Sequence, residues 1–377
     1  MAESWRISAV SERHRALGSV LEDWNGMGTP WTYRGDVQDD YVAIRTRAGL
    51  MDVSGLKKLH LVGPHASAIL DYATTRNVAK ITPGRSAYAT VLNDAGRFID
   101  DCVLYRTGPN AWMVVHGAGT LHEMLAQAVV GRNAALLFDD DLHDLSLQGP
   151  LAVVYLERHV PGIRQLNYFH HMQTTLFGAA VTISRTGYTG ERGYEIFCKA
   201  TDAAMIWDRI VEEGREMGIV PTSFTALDYL RVESYLLFYP YDNSEIYPLG
   251  DDMPGDTLWE LGLDFTVSPR KTQFRGAPAH FHAKGRERFR IWGLLLEGQQ
   301  APDAGAAVVA GGRTVGVVTC AMYSSLAGRT MAIARVSPEF AIDGHAVAVQ
   351  SRAVEIGGVT HSLPFDDPQK YKRTVKG

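Results

Sequence analysis

Apolar positions change period several times along this chain, and each change predicts an element. Residues 59–62 read Leu59-His60-Leu61-Val62, the alternation of a strand. Two apolar runs, 87–92 and 98–105, flank Asn93-Asp94-Ala95-Gly96, so they predict a β-hairpin closed by that turn. A strand is predicted over 112–115 and a helix over 121–130. Ile206 and Ile210, adjoined by Met205 and Trp207, mark a second helix, with Thr201 or Asp202 as its expected cap. A third helix is predicted from about 224 to 238, with Leu227, Leu230 and Ser234 on one stripe and Arg231 beside it. Beyond about 285 short strands and glycine turns take over, as at 292–296, 314–319 and 331–336, which predicts a compact β-barrel. Strands interleaved with helices ahead of it predict an α+β region over 1–284, and the barrel occupies 285–377.

With 377 residues, 46% of them hydrophobic, the chain can hold two or three lobes with real cores. Its net charge of −5 and scattered basic residues exclude the electrostatic footprint of a nucleic-acid binder. No apolar stretch approaches membrane-spanning length, and Met1-Ala2-Glu3-Ser4-Trp5-Arg6 has no signal-peptide pattern, so the expected compartment is the cytoplasm. Cys102, Cys198 and Cys320 lie far apart in strand-like settings and read as buried small hydrophobes. Neither His170-His171 nor Asp139-Asp140-Asp141 with Asp144 matches a metal-ligand spacing, so no metal is expected. Gly117-Ala118-Gly119 begins like a dinucleotide loop, but the third glycine is missing.

The most informative run is 185–197. Gly187, Gly190 and Gly193 describe a tight, shaped loop, which presents Tyr188 and leads into a strand. Period two puts Glu195 and Phe197 opposite Tyr194 and Ile196, with apolar residues on both faces. A carboxylate beside aromatic rings can accept two parallel N–H bonds from the edge of a flat heterocycle such as a pterin. On its own the run also fits a hairpin with a solvated glutamate.

The same run resembles the signature of the glycine-cleavage T-protein (aminomethyltransferase) family, whose ligand is tetrahydrofolate. Further motifs match in order. They are Arg47-Ala48-Gly49-Leu50-Met51-Asp52-Val53-Ser54, Asp100-Asp101, Leu147-Gln148-Gly149-Pro150 and Leu230-Arg231-Val232-Glu233. The resemblance implies a three-lobed cloverleaf, with two interleaved lobes binding folate ahead of the barrel. It places Asp101 at the family's catalytic aspartate, and Tyr88, Tyr188, Glu195 and Arg231 at folate contacts. Without it, Asp100-Asp101 reads as one inward and one outward strand residue, and Arg231 as a helix-surface ion pair.

Departures from the family pattern cluster where a donor would approach. Gly55-Leu56-Lys57 stands where His-Met-Gly is usual, and His116-Gly117-Ala118-Gly119 replaces a motif that begins with asparagine. Tyr239-Pro240-Tyr241-Asp242 and extra residues around 250–258 follow the Arg231 helix. The cofactor therefore looks retained and the donor changed, which points to the family's demethylase relatives. The expected activity is transfer of a methyl group from a small donor, such as a methoxylated aromatic acid, to tetrahydrofolate, giving 5-methyltetrahydrofolate. His116 is the candidate proton donor to the leaving group, because its intrinsic pKa permits exchange near neutrality. His60, Tyr239 and Tyr241 are the lesser candidates, and Trp259 is a candidate aromatic wall of the donor site. Each has a plainer alternative: His116 capping the following helix, His60 facing solvent, Trp259 in the core. The rival activity is aminomethyl transfer from a lipoyl carrier protein with methylenetetrahydrofolate as product. A third reading is a non-catalytic folate-binding accessory protein.

Overall fold

The computed structural model describes residues 5–250, 254–352 and 354–374. Three lobes share the chain. After a small sheet of Arg6–Ile7, Met27–Thr29 and Glu22–Trp24, strand Ala48–Asp52 enters a six-stranded sheet. The chain then leaves to build a five-stranded sheet in the order Ser86–Leu92, Phe98–Gly108, Ala111–His116, Lys57–Val62, Ala135–Phe138. It returns at Leu142–Gln148 to complete the first sheet with His171–Leu176, Ala179–Ser184, Gly193–Lys199 and Ile219–Pro221. The last lobe is a closed barrel of six strands that begins at Arg290–Leu296 and ends at Val354–His361. The fold is thus α+β and three-lobed, with a C-terminal β-barrel.

Side-chain alternation gives each sheet one apolar face for its helices and one face for the molecule's centre. In the five-stranded sheet Leu59, Leu61, Cys102, Leu104, Trp112 and Val114 pack with Ile69, Leu70, Leu121 and Leu125 of two helices. In the other sheet Leu145, Leu147, Tyr194, Ile196 and Cys198 pack with Ile206, Trp207 and Ile210 of helix Ala200–Gly214. The opposite faces meet where Tyr105, Met113 and Val115 touch Phe197. Phe224, Leu227 and Leu230 of helix Phe224–Ser234 join Phe98 and the barrel residues Ile291, Met322 and Ile333 in the core that unites all three lobes.

The predicted hairpin forms: Asn93 N–H reaches Arg97 O at 2.9 Å, and Gly96 turns with φ +72°. A Cβ there would stand 2.6 Å from the His280 amide, so the position needs glycine twice over. Three helix boundaries differ from expectation, and the first is the helix predicted over 121–130, which ends at Ala128. Helix Ala200–Gly214 starts ahead of Thr201 and Asp202, with extended Lys199 as its N-cap and no side-chain cap. Helix Phe224–Ser234 stops short of Phe238, because Tyr235 turns left-handed at φ +42° and the Leu236 amide closes back onto Arg231 O at 3.0 Å. Cys102 and Cys198 are buried and Cys320 is half-buried. Among the described residues no helix is long and apolar enough to cross a membrane. The N-terminal four residues and the inserted positions 251–253 lie outside the described residues.

Candidate functional site

The three lobes enclose a cavity of about 750 Å³. Tyr88 and Asp101 come to it from the five-stranded sheet, Ser146 and Glu195 from the six-stranded sheet, and Ile291 and Trp292 from the barrel. Residues 235–239, which follow the Phe224–Ser234 helix, close another side.

Asp101 reaches the cavity because Cys102 and Leu104 take the helix-covered face of their strand, which leaves Asp101, Val103 and Tyr105 on the other. Tyr88 lies opposite Val103 in register and shares that face. Its hydroxyl donates to Asp101 Oδ2 at 2.6 Å. Burial, with help from the Asp100 charge, pushes the Asp101 carboxyl up to about 7, against the pull of the Tyr88 bond. Burial also holds the Tyr88 phenol well above its ordinary value.

Asp100 faces the other way. It accepts from the Asp101 amide at 2.8 Å and, through Oδ2, from the Leu121 amide that opens helix Leu121–Ala128, at 2.9 Å. The same oxygen lies 3.0 Å from His116 Nδ1. His116 pairs with Cys102 in register and so belongs to the Asp100 face, although it contributes to the cavity wall where its strand ends. Asp100, rather than His116, is the residue that caps the helix.

Glu195 sits opposite Ser146 in register. Its Oε2 accepts the Tyr105 hydroxyl at 3.1 Å and a short bond from the Thr186 hydroxyl. Burial raises its pKa, and the two hydroxyls oppose that rise. The glycine loop explains the placement of Thr186. Gln148 donates to Thr186 O at 3.1 Å and to Ser146 Oγ at 3.0 Å, and its side chain fills the space that a Cβ on Gly187 or Gly193 would need. Arg45 pins the far side of the loop through Thr189 O at 2.8 Å and Glu191 at 2.9 Å, while also holding Glu233. Tyr188 directs its hydroxyl to the carbonyls of Leu236 and Leu237 at 2.9 and 2.5 Å, so its ring is what it offers a ligand.

Of the residues singled out in the sequence, Tyr88, Asp101, His116, Tyr188, Glu195 and Tyr239 line the cavity. Arg231 does not. Its buried guanidinium is engaged by Asp228 at 2.6 Å and Asp242 at 2.5 Å. His60 pairs with Asp139 at 2.9 Å on the strand Lys57–Val62, and Tyr241 is exposed, its ring tilted against Phe238 with centroids 4.7 Å apart. Trp259 donates to His280 O at 2.9 Å and lies flat against the His280 ring. Sequence reasoning missed Tyr105 and Thr186 as partners of Glu195; the alternation from Asp101 to Tyr105 was the available signal for the first. It also missed the barrel's share of the wall, which no local pattern announces.

Among the described residues, four that line the cavity carry a buried polar atom without a protein partner: Trp24 Nε1, Ser86 Oγ, His116 Nε2 and Trp292 Nε1. With a carboxylate on each of two walls and aromatic rings between them, the cavity is built for a flat, polar ligand of vitamin size. That defines a ligand-binding cloverleaf with a central site. The chain belongs to the glycine cleavage T-protein (aminomethyltransferase) family: the GCVT N-terminal domain matches residues 10–271 and the glycine cleavage T-protein C-terminal barrel domain matches 290–367. It is 66% identical over 377 residues, all of both chains, to the heme-dependent oxidative N-demethylase gamma subunit of Ectopseudomonas mendocina (strain ymp). It is 32% identical to the aminomethyltransferase of Streptomyces coelicolor, over 97% of this chain and 98% of that one. The glycine cleavage system aminomethyltransferase T from Bartonella henselae superposes with a TM-score of 0.86 at 27% identity, covering 96% of this chain and 98% of its own. Members of the family act on one-carbon groups with tetrahydrofolate. The orphaned polar atoms, the paired carboxylates and the cavity's size fit that molecule.

Proposed function

We propose that the chain passes a one-carbon unit at the oxidation level of formaldehyde to tetrahydrofolate, as one subunit of an enzyme that removes N-methyl groups by oxidation. The observation that carries this reading is the placement of the Asp101–Tyr88 pair and Glu195 on facing walls of one cavity. The relatives' names supply the donor chemistry. Oxidising an N-methyl group leaves its carbon as formaldehyde or an aminomethyl equivalent, and an aminomethyltransferase handles carbon at that same level. Neither name involves a methoxylated aromatic acid, so the proposed donor departs from the sequence-based expectation. The proposed product is methylenetetrahydrofolate rather than 5-methyltetrahydrofolate. The name "gamma subunit" supports further protein partners in place of a lone small-molecule donor.

Tetrahydrofolate, when bound, supplies nucleophilic nitrogens that accept the carbon. The protein's part is orientation and proton handling. Both protein hydroxyls bond Glu195 Oε2, which leaves Oε1 to accept from a ligand. Tyr88 occupies Asp101 Oδ2, so Oδ1 is the oxygen that exchanges protons. With a pKa near 7, Asp101 is divided between acid and base at neutrality, the condition for both giving and taking a proton. His116 shapes the end of this wall from its bond to Asp100.

The test combines the purified protein, with its co-purifying subunits, with tetrahydrofolate and three donors: formaldehyde, an aminomethyl-lipoyl carrier and a methoxybenzoate. Folate products are resolved by mass. Methylenetetrahydrofolate from formaldehyde, formed faster than in the uncatalysed mixture, is the expected result. Product from the lipoyl carrier alone would establish aminomethyl transfer, methyltetrahydrofolate would restore the methyl-donor reading, and folate binding without turnover would leave an accessory protein.

A further inference from the structure

Arg231 occupies a position that the family resemblance assigns to folate, yet Nε and Nη1 of its guanidinium are bonded elsewhere and the residue does not line the cavity. Nε donates to Asp228 Oδ1 at 2.6 Å and Nη1 to Asp242 Oδ2 at 2.5 Å, with Arg231 2% and Asp242 0% exposed. Asp242 lies in the segment where the chain departs from the family pattern. Its carboxylate gathers three elements: Oδ2 also accepts the Phe238 amide at 2.9 Å, and Oδ1 accepts the hydroxyl of Thr319 on barrel strand Arg313–Ser324 at 2.7 Å. The Asp242 amide returns to Phe238 O at 3.1 Å, which closes the turn 238–242 on itself. The guanidinium further stands 5.5 Å from the centre of the Phe238 ring.

We infer that Arg231 and Asp242 form a clamp that positions Phe238 and Tyr239, the wall of the cavity on its donor side, and that in this chain the pair sets donor fit instead of binding folate. The inference deepens the proposed function and rests on its donor side. Phe238 continues into a ring cluster with Trp24 and Phe224, all three on the cavity wall, with centroids 6.4 and 6.1 Å from Phe238. Tyr239 packs edge-on against Phe98 at 5.3 Å. These contacts fix ring orientation, while the Asp242 carboxylate holds the Phe238 amide and, with the Asp242 amide bonded to Phe238 O, fixes the turn that carries both rings. A buried ion pair is costly to break from one side, because the remaining charge is left uncompensated. A wall so anchored holds the Phe238 and Tyr239 rings at one place on the cavity surface.

The experiment measures Asp242→Asn and Arg231→Lys against the parent protein in its full assembly. The readouts are the KM for formaldehyde, the tetrahydrofolate Kd by fluorescence quenching, and amide exchange across 236–240. The clamp predicts a formaldehyde KM raised by about tenfold, a folate Kd within about twofold, and faster exchange at Phe238. A folate Kd weakened with the donor KM unchanged would return Arg231 to folate binding and overturn the inference, as would no change in either. Thr319→Val, which removes only the barrel's bond, gives a smaller shift in the same direction and serves if Asp242→Asn fails to fold. If the parent does not turn over formaldehyde, the proposed function fails, and exchange at Phe238 still decides the clamp.

Discussion

The Tyr88 hydroxyl donates to Asp101 Oδ2 across 2.6 Å and so lowers the proton affinity of a carboxylate that burial has pushed up to about 7. Removing the hydroxyl removes the opposing pull. Tyr88→Phe therefore raises the Asp101 pKa and moves the corresponding limb of the pH–kcat/KM profile to higher pH, by about half a unit or more. A limb that stays in place assigns it to another group.

Asp101 itself should trade stability for function. Its folded pKa, near 7, exceeds the unfolded value of about 3.9, so the fold holds a proton that the unfolded chain releases between those values. The contribution is complete below pH 4 and is lost as pH rises through 7. Asn cannot ionise, so Asp101→Asn should gain thermal stability relative to the parent at pH 8 and little at pH 4, while turnover falls by about a hundredfold or more. Equal Tm differences at the two pH values would show that Asp101 is not a raised carboxyl.

Had Glu195 no core partner, it could be removed at small cost. It has two, Tyr105 and Thr186, so Glu195→Ala would leave buried hydroxyls without their acceptor. Glu195→Gln is the cleaner probe. It keeps an oxygen for those hydroxyls and removes the charge, and it should weaken tetrahydrofolate binding by about tenfold or more, as loss of a charge-assisted bond implies. Calorimetric titration giving the parent Kd would remove Glu195 from the folate site.

Much of this site was legible because it rests on period two. The alternation that places Tyr194 and Ile196 in one core sends Glu195 to the centre, and the same logic separates Asp100 from Asp101. What stayed illegible lies in long-range geometry. Asp242 meets Arg231 only because Tyr235 turns left-handed and brings the chain back, and a tyrosine in that conformation follows no propensity. Trp259 and His60 carry suitable chemistry but stand on His280 and Asp139, away from the cavity, since residue type alone does not say which way a strand or turn faces.

His116 tests that distinction. Its register with Cys102 puts the ring on the Asp100 side, where it shares an acceptor with the Leu121 amide. His116→Asn should lower stability by about 1–3 kcal/mol through the loosened Asp100 contact. The accompanying loss in kcat/KM should stay within about threefold. A large fall in kcat with the melting temperature retained would instead make His116 the proton carrier that its residue type suggests.

The glycine loop gives the most direct link from sequence to site. Gly193 has an ordinary φ, so its glycine is demanded by space and not by backbone conformation: a Cβ would come 2.0 Å from Gln148 Oε1. Gln148 cannot yield freely, because its Nε2 holds Ser146 Oγ and Thr186 O, and Thr186 in turn holds Glu195. Gly193→Ala should therefore destabilise the protein by about 1–3 kcal/mol, the usual cost of overpacking. It should also weaken tetrahydrofolate binding through displacement of Thr186 and Glu195, although no folate-facing side chain has been changed. Gly178→Ala serves as the control, since nothing stands within 4 Å of a Cβ there and only its left-handed φ of +87° is strained. Loss of stability at both sites with folate affinity lost only at Gly193 is the expected outcome. An unchanged Kd in Gly193→Ala would mean that the loop reaches the ligand by some route other than Gln148 and Thr186.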